Sequence, residues 1–399
     1  MNTDNKVLLL LTGGIWQKEI IQEAKRKNCI VYLVDKDKDC FCRNLCDKFF
    51  EHDVQDYQGL ISKLKNEKID GILSEQTDVA VVSGAHLCKY FNLQGLSIYQ
   101  AEILTNKFQM REFCKSNKIP IPKYHSIETL EEAYINAKKI SFPVIIKPSD
   151  NQSSRGVTKV WQEENIESAF NLAMKYSISK KVLIEELLVG YESSVEMYVT
   201  DKKIHLLGIS QKNKSFPPYS YDTKLIYPPD FQEEIQNSLS LVSEKIIKSL
   251  NLKSTLVHAE FIITPNGVYL LEIAGRGCGA GVITLLIPKI TNFNPVQKRI
   301  MDALKEKQPE PQIKTYIKTG ILDFLEYPEG QVESISGIEN AKKIPGVIDI
   351  KINFKVGDHL RYPTNGGERH GSLHVIGNHK QEAEQNAYNA KKEIIVKLK

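Results

Sequence analysis

The sequence has no paired-cysteine framework, no long apolar run and no excess of one charge. Each absence excludes a class of protein. Seven scattered cysteines, an odd number, do not make a disulfide scaffold and fit a reducing compartment, so a cytoplasmic location is expected. Near the start, Val7-Leu8-Leu9-Leu10-Leu11 is far too short to span a bilayer and lacks a small-residue cleavage site, so it reads as a buried strand. A net charge of +4, with lysines and acids interleaved, is no nucleic-acid signature. Cys40, Cys42 and Cys46 lie close in sequence, but no second ligand group answers them, so ordinary thiols are expected rather than a zinc site. His370, His374 and His379 fall in a Gly-rich turn region and are expected to face solvent. The G-x-G-x-x-G spacing of a dinucleotide site is also missing. Gly13-Gly14 and Asp35 then read as strand ends bordering a cleft. There is no internal repeat.

A chain of 399 residues is too long for one compact core, and three regions are visible. Residues 1–103 alternate strand and helix ("KVLLLLTGG", "WQKEIIQEAKRKN", "CIVYLVD", "DYQGLISKLKNEKI", "DGILSE"), the rhythm of an open parallel α/β sheet. Residues 104–308 mix helices and strands without alternation, which indicates an α+β domain with antiparallel sheets. "KEKQPEPQ" then breaks the chain, and residues 309–399 read as a small α+β cap ending in a helix from Gln381 to about Val396.

Three segments carry chemistry. "PVIIK" is a strand stopped by Pro148, which places Lys147 at a strand mouth. The loop after it offers Ser153, Ser154, Arg155, Gly156 and backbone N–H groups, donors suited to a polyphosphate; a hydrated hairpin loop explains the same residues. In "VLIEELLVGYESS", Glu185 and Glu186 end an apolar strand. A crevice beside Leu187 and Leu188 suits a flat base, and Glu192 suits ribose hydroxyls; surface glutamates are the alternative. In "HAEFIITPNGVYLLEIAGRG", Pro265-Asn266-Gly267 reads as a three-residue hairpin loop. Thr264 then pairs with Val268, Ile262 with Leu270, and Glu260 with Glu272. Two carboxylates roughly 5 Å apart at an effective dielectric near 20 repel by about 3 kcal/mol, so something should compensate. Mg2+ favours such hard oxygens, and Arg276 is spaced to steady a transferring phosphoryl group. A solvated edge or a protonated carboxyl is the other explanation.

Together, these segments resemble the ATP-grasp superfamily over most of the chain. Lys107 in "ILTNKFQMREF" and Lys147 in "VIIKP" are similar to its two nucleotide lysines, and "SSRGV" to its glycine-rich flap. The interval from Glu185 to Glu192 resembles that from hinge to ribose glutamate, with Leu188 as the backbone contact to adenine. Glu260, Glu272 and Arg276 resemble the metal acids and catalytic arginine of the E…E-x-N-x-R pattern, except that Ala274 replaces the asparagine and puts the second metal's coordination in doubt. The resemblance implies an α/β plus α+β protein: a Rossmann-like domain (1–103), an ATP-grasp domain (104–308, with a nucleotide subdomain over about 111–186 and a catalytic subdomain over about 187–308) and a cap (309–399).

The cofactors implied are ATP and Mg2+ or Mn2+. The implied partners are a small-molecule carboxylate and an amine, with no nucleic acid or membrane and with a homodimer as the expected assembly. The implied chemistry is attack of a carboxylate on the γ-phosphoryl group of ATP, followed by displacement of phosphate from the acyl phosphate by an amine. "ISQKNKSFPPYSYDTKLIYPPD" resembles the segment bordering the acceptor pocket in amino-acid and dipeptide ligases, with Lys212 or Lys224 reaching phosphate or substrate; surface lysines are the other reading. "GRGCGAGVI" lets backbone approach a small polar intermediate, which favours an amino acid. A carboxylase acting through carboxyphosphate and a non-catalytic ATP-binding protein are the rivals.

Overall fold

The computed structural model describes residues 5–151, 155–216 and 220–399. The N-terminal sheet is built from β1 (Val7–Leu11), β2 (Ile30–Asp35), β3 (Lys48–Glu51) and β4 (Gly71–Leu73), all parallel, in the order β3-β2-β1-β4. All five residues of β1 are buried because helices cover both faces of the sheet. Helix Lys18–Arg26 packs on one face together with Val296, Ile300, Ala303 and Leu304 from helix Pro295–Ala303 and the residue after it. That second helix comes from sequence expected to belong to the next domain, so the boundary at 103 is crossed in space.

A second sheet holds β5 (Tyr124–Ile127), β6 (Val144–Pro148), β7 (Thr158–Val160) and β8 (Val182–Glu186), antiparallel in the order β5-β8-β6-β7. Helices Leu130–Ile140 and Ile166–Tyr176 bury Ala133, Ala137, Ala169 and Ala173 against it.

The central sheet begins with β9 (Tyr191–Val199), β10 (Ile204–Lys214), β11 (Asp222–Tyr227), β12 (Thr255–Thr264) and β13 (Gly267–Ala274). The C-terminal region adds β14 (Thr319–Leu325), β15 (Gly330–Ser336), β16 (Val347–Ile352), β17 (His359–Leu360), β18 (Gly371–Gly377) and β19 (Ile395–Leu398). The central order is β13-β12-β9-β10-β11-β14-β18-β16, while β17-β15-β19 forms a small separate sheet. The C-terminal region is joined to the central sheet: Lys224 to Tyr227 of β11 pair with Asp323 to Gly320 of β14. The segment that follows β10 supplies β11. The terminal helix stops at Glu393, and the expected last turn is β19 instead.

Strand alternation gives the central sheet two unlike faces. Val195, Met197 and Val199 of β9 and Val257, Ala259 and Phe261 of β12 share an apolar core with Leu239, Ile246 and Ile247 of helix Glu233–Ser249. The alternate residues Ser194, Glu196, His258 and Glu260 form a polar, largely buried face.

The hairpin differs from its sequence reading. The loop has two residues, since Thr264 pairs with Gly267, Ile263 with Val268 and Ile262 with Tyr269. A one-residue slip moves a strand's side chains to the other face. Here Leu271 is an extra residue, because Phe261 pairs with Leu270 while Glu260 pairs with Glu272. This β-bulge restores the glutamate pairing. The Leu271 carbonyl accepts a 2.8 Å hydrogen bond from Nη2 of Arg111.

The histidines are a second correction. His370 and His374 are buried, 5% and 0% exposed. The His374 ring lies 2.7 Å from the Ala280 carbonyl, and Nδ1 of His370 accepts the Tyr327 N–H. His379 accepts the Glu382 N–H at the start of the last long helix. Burial raises the Cys40 and Cys42 thiols to about 11 and about 12.

Candidate active site

A cavity of about 630 Å3 separates the polar face of the central sheet from the strand ends of the N-terminal sheet. Arg155, Lys212, Glu260, Glu272 and Arg276 line it, as do Thr12, Gly14 and Asp35 from the opposite side. Asp35 does not reach into it freely, because its Oδ2 takes the Gly13 N–H at 2.7 Å.

The two acids of the hairpin are compensated by lysines. Nζ of Lys107 lies 3.0 Å from Oε1 of Glu272, and Nζ of Lys212 lies 2.7 Å from Oε1 of Glu260. Burial alone would raise Glu260, but Lys212 and His258 outweigh it and hold the carboxyl well below its ordinary value. Burial would likewise strip Lys212 of its proton, yet Asp222 and Glu260 raise it well above the usual range. An ammonium ion therefore sits on each carboxylate, where a divalent cation would serve the same electrostatic end. The facing oxygens are the donor type that Mg2+ takes, so the pair fits that ion.

Lys107 begins helix Lys107–Ser116, and one turn on, Arg111 lies on the same face. Glu185 is buried between Arg111 (2.8 Å) and Lys147 (2.7 Å), which hold it at about 2 although burial opposes them. Its oxygens are thus taken by protein partners, and it acts on a ligand only through those cations. Two cations share one anion here. Burial, helped by repulsion from Arg111 and Lys107, brings Lys147 down to about 8 despite Glu185. This excess of buried positive charge calls for an anion.

The other expected residues are placed as follows. Glu192 pairs with Lys214 at 2.8 Å, and Lys214 also meets Asp222 at 3.0 Å. Leu188 is half-buried on the segment between β8 and β9. Glu186 turns away, accepting the Lys123 N–H at 2.9 Å. Lys224 is not at the cavity; it lies 3.3 Å from Asp323. Gly156 has φ +73, a backbone conformation that favours glycine, and a Cβ there would press on Pro148 and Tyr176 at 3.0 Å. Ser153 and Ser154 lie outside the described residues.

The N-terminal region contributes residues that sequence reasoning missed. Both oxygens of Asp78 receive Arg276 at 2.7 Å. Three residues earlier, Glu75 accepts the Gly277 N–H and Nε of Arg299, each at 2.9 Å. The loop after β4 thus grips the Arg276 segment at two points. His258 was also missed; its position two residues before Glu260, on the same strand face, was the available signal.

A model of the ATP-grasp domain matches residues 140–284, and a model of the L-amino acid ligase C-terminal domain 2 matches residues 323–399. A formate-dependent phosphoribosylglycinamide formyltransferase of Prochlorococcus marinus subsp. pastoris is 26% identical over 348 residues, 85% of this chain and 86% of the relative. One from Sulfurisphaera tokodaii is 24% identical, covering 98% of this chain and 97% of the relative. Among solved structures, an L-amino acid ligase from Bacillus licheniformis superposes with a TM-score of 0.87 at 19% identity, covering 99% of both chains. Residues 140–284 are thus an ATP-grasp domain, and over most of its length the chain is similar to ligases of the carboxylate–amine branch. It is an ATP-dependent ligase that forms a C–N bond with release of ADP and phosphate, and its cofactors are ATP and Mg2+. Among the described residues, no helix is long and apolar enough to cross a membrane.

Proposed function

We propose that this ligase activates an amino acid as its acyl phosphate and couples it to the amine of a second small molecule. The observation that carries the reading is the mixed-charge wall of the cavity. Arg276, Lys212 and Arg369 line it together with Asp78, Asp222 and Glu260, a set suited to substrates bearing both ammonium and carboxylate groups. The match of residues 323–399 to the L-amino acid ligase C-terminal domain supports the same class.

In this reading Lys107, Lys147 and Arg155 hold the phosphates, with Ser153, Ser154 and Gly156 as further donors. Leu188 offers backbone to the adenine, and Glu192 takes the ribose hydroxyls. Glu260 and Glu272 hold Mg2+, which when bound neutralises phosphate charge. The substrate carboxylate oxygen attacks the γ-phosphorus and ADP leaves. The amine then attacks the acyl carbon, phosphate leaves, and the amine gives up a proton. Arg276 stabilises the charge that develops on the transferring group, and Lys212 steadies the acyl phosphate. Such transfer requires alignment and charge neutralisation more than covalent help from protein.

The test is a screen of amino acids in pairs for ADP and phosphate release, with products identified by mass. Formate with a phosphoribosyl amine, bicarbonate, and ATP alone are run beside them. Turnover with an amino-acid pair and a dipeptide product supports the proposal. Turnover confined to formate or bicarbonate replaces it, and ATP binding without turnover on any pair refutes it.

A further inference from the structure

Behind the metal acids the polar face of the central sheet holds a second, chemically different group of donors. His258 of β12 is the register partner of Glu196 of β9, and its Nδ1 lies 2.8 Å from Oε1 of Glu196. Its Nε2 lies 3.0 Å from Oε1 of Glu260. Cys278, on the segment after Arg276, closes the group: one donor atom each from Glu196, His258 and Cys278 falls within a mutual 4.8 Å. All three residues are buried, and His258 and Cys278 line the cavity, which gives a route in from solvent. Ser194 and Tyr227 add weaker contacts to Oε1 of Glu196, at 3.1 and 3.3 Å. Among the described residues, its Oε2, fully buried, has no hydrogen-bond partner. A carboxylate oxygen left so is costly unless something positive meets it.

Sulfur, imidazole and carboxylate together are not a magnesium set. Mg2+ selects oxygen alone, whereas this trio is the donor mixture of Zn2+ and of cobalt in its place. We propose that Glu196, His258 and Cys278 form a binding site for a thiophilic divalent cation such as Zn2+, separate from the Glu260–Glu272 pair. Two carboxylates already face the two ring nitrogens and the thiol lies beside them, so an entering cation meets donors gathered in advance. Because Cys278 lies two residues beyond Arg276, an ion here ties that segment to the sheet.

Co2+ titrated into the purified, metal-stripped full chain, with excess Mg2+ present, tests the site. A near-ultraviolet thiolate-to-cobalt band that saturates at a single equivalent and is displaced by Zn2+ is expected. It is lost in Cys278→Ser and kept in Cys46→Ser, which changes the most accessible thiol of the other cysteine cluster. No band in the folded wild type, or a band that survives Cys278→Ser, overturns the proposal. Should Cys278→Ser not fold, alkylation of the wild-type protein decides, with the modified thiols mapped by mass. Zn2+ must abolish labelling at Cys278 and leave Cys46 reactive, and equal labelling of Cys278 with and without Zn2+ overturns the site. Neither readout uses turnover, so the result stands apart from the identity of the ligase substrates.

Discussion

Asp78 and Arg276 are joined by a two-pronged ion pair across 198 positions of sequence, each prong 2.7 Å long. A guanidinium clasped in this way has a fixed plane and direction, and the residue that fixes it belongs to the N-terminal region rather than to the central sheet. Asp78→Asn keeps the shape and removes the charge. Because charge-assisted hydrogen bonds are worth about 1.5–3 kcal/mol, kcat is expected to fall about ten- to a hundredfold. KM for ATP is expected to change little. An unaltered kcat would show that Arg276 needs no partner from across the cleft.

Glu272→Gln keeps the hairpin and the volume of the side chain but loses a charged oxygen. Turnover should drop by about a hundredfold or more, the scale of one contact that stabilises transferring charge. The midpoint for Mg2+ activation should rise while the circular dichroism is unchanged. Near-normal turnover in a folded protein would remove Glu272 from the metal pair.

Lys147 sits near 8 because burial and two neighbouring cations outweigh one shared carboxylate. A nucleotide phosphate would supply the missing negative charge and raise it. Binding of ATP at about pH 8 should therefore take up protons, since part of the lysine is neutral before binding and charged after. Calorimetry in buffers of different ionisation enthalpy measures that uptake. It should vanish in Lys147→Met; uptake that persists there would assign the proton elsewhere.

Acid should destabilise the protein through two ion-paired carboxylates, Glu185 buried and Asp222 half-buried. Glu185 and Asp222 are each held at about 2, against ordinary values of 4.5 and 3.8. Their folded values are depressed, so the unfolded chain takes protons first as pH falls. The stabilisation is present above about pH 4.5 and is lost on the way down to about 2. Urea midpoints measured through that window should fall, and Glu185→Gln should flatten the slope. That variant should also lose about 3–5 kcal/mol at neutral pH, because it strands two buried cations. A midpoint unchanged by the substitution would mean that Arg111 and Lys147 find other partners.

Much of the site was legible because its residues are ordered along one stretch. Lys107, Lys147, Glu260, Glu272 and Arg276 stand out by type and spacing, and the structure brings all but Lys147 to the cavity or into contact with its lining. The pairing of Glu260 with Glu272 was also foreseen, but from the wrong loop. A three-residue turn and a two-residue turn with a bulge at Leu271 give the same pairing, and a bulge leaves no mark in composition. What stayed hidden came from register and distance. Glu196 meets His258 only because β9 lies beside β12, and Asp78 meets Arg276 only because the N-terminal sheet stands across the cleft. His370 and His374 were misjudged since Gly-rich surroundings suggest a turn, whereas Gly371 begins a buried strand.

The pairing of β11 with β14 has a practical outcome for anyone cutting the gene. A chain halted before residue 319 would leave unsatisfied the backbone donors and acceptors that Lys224 to Tyr227 direct at β14, along a largely apolar margin. Such a margin is a template for other chains, so the truncated product should precipitate rather than survive as a smaller enzyme. Exchanging tails between related ligases should work only when the seam falls outside that ladder.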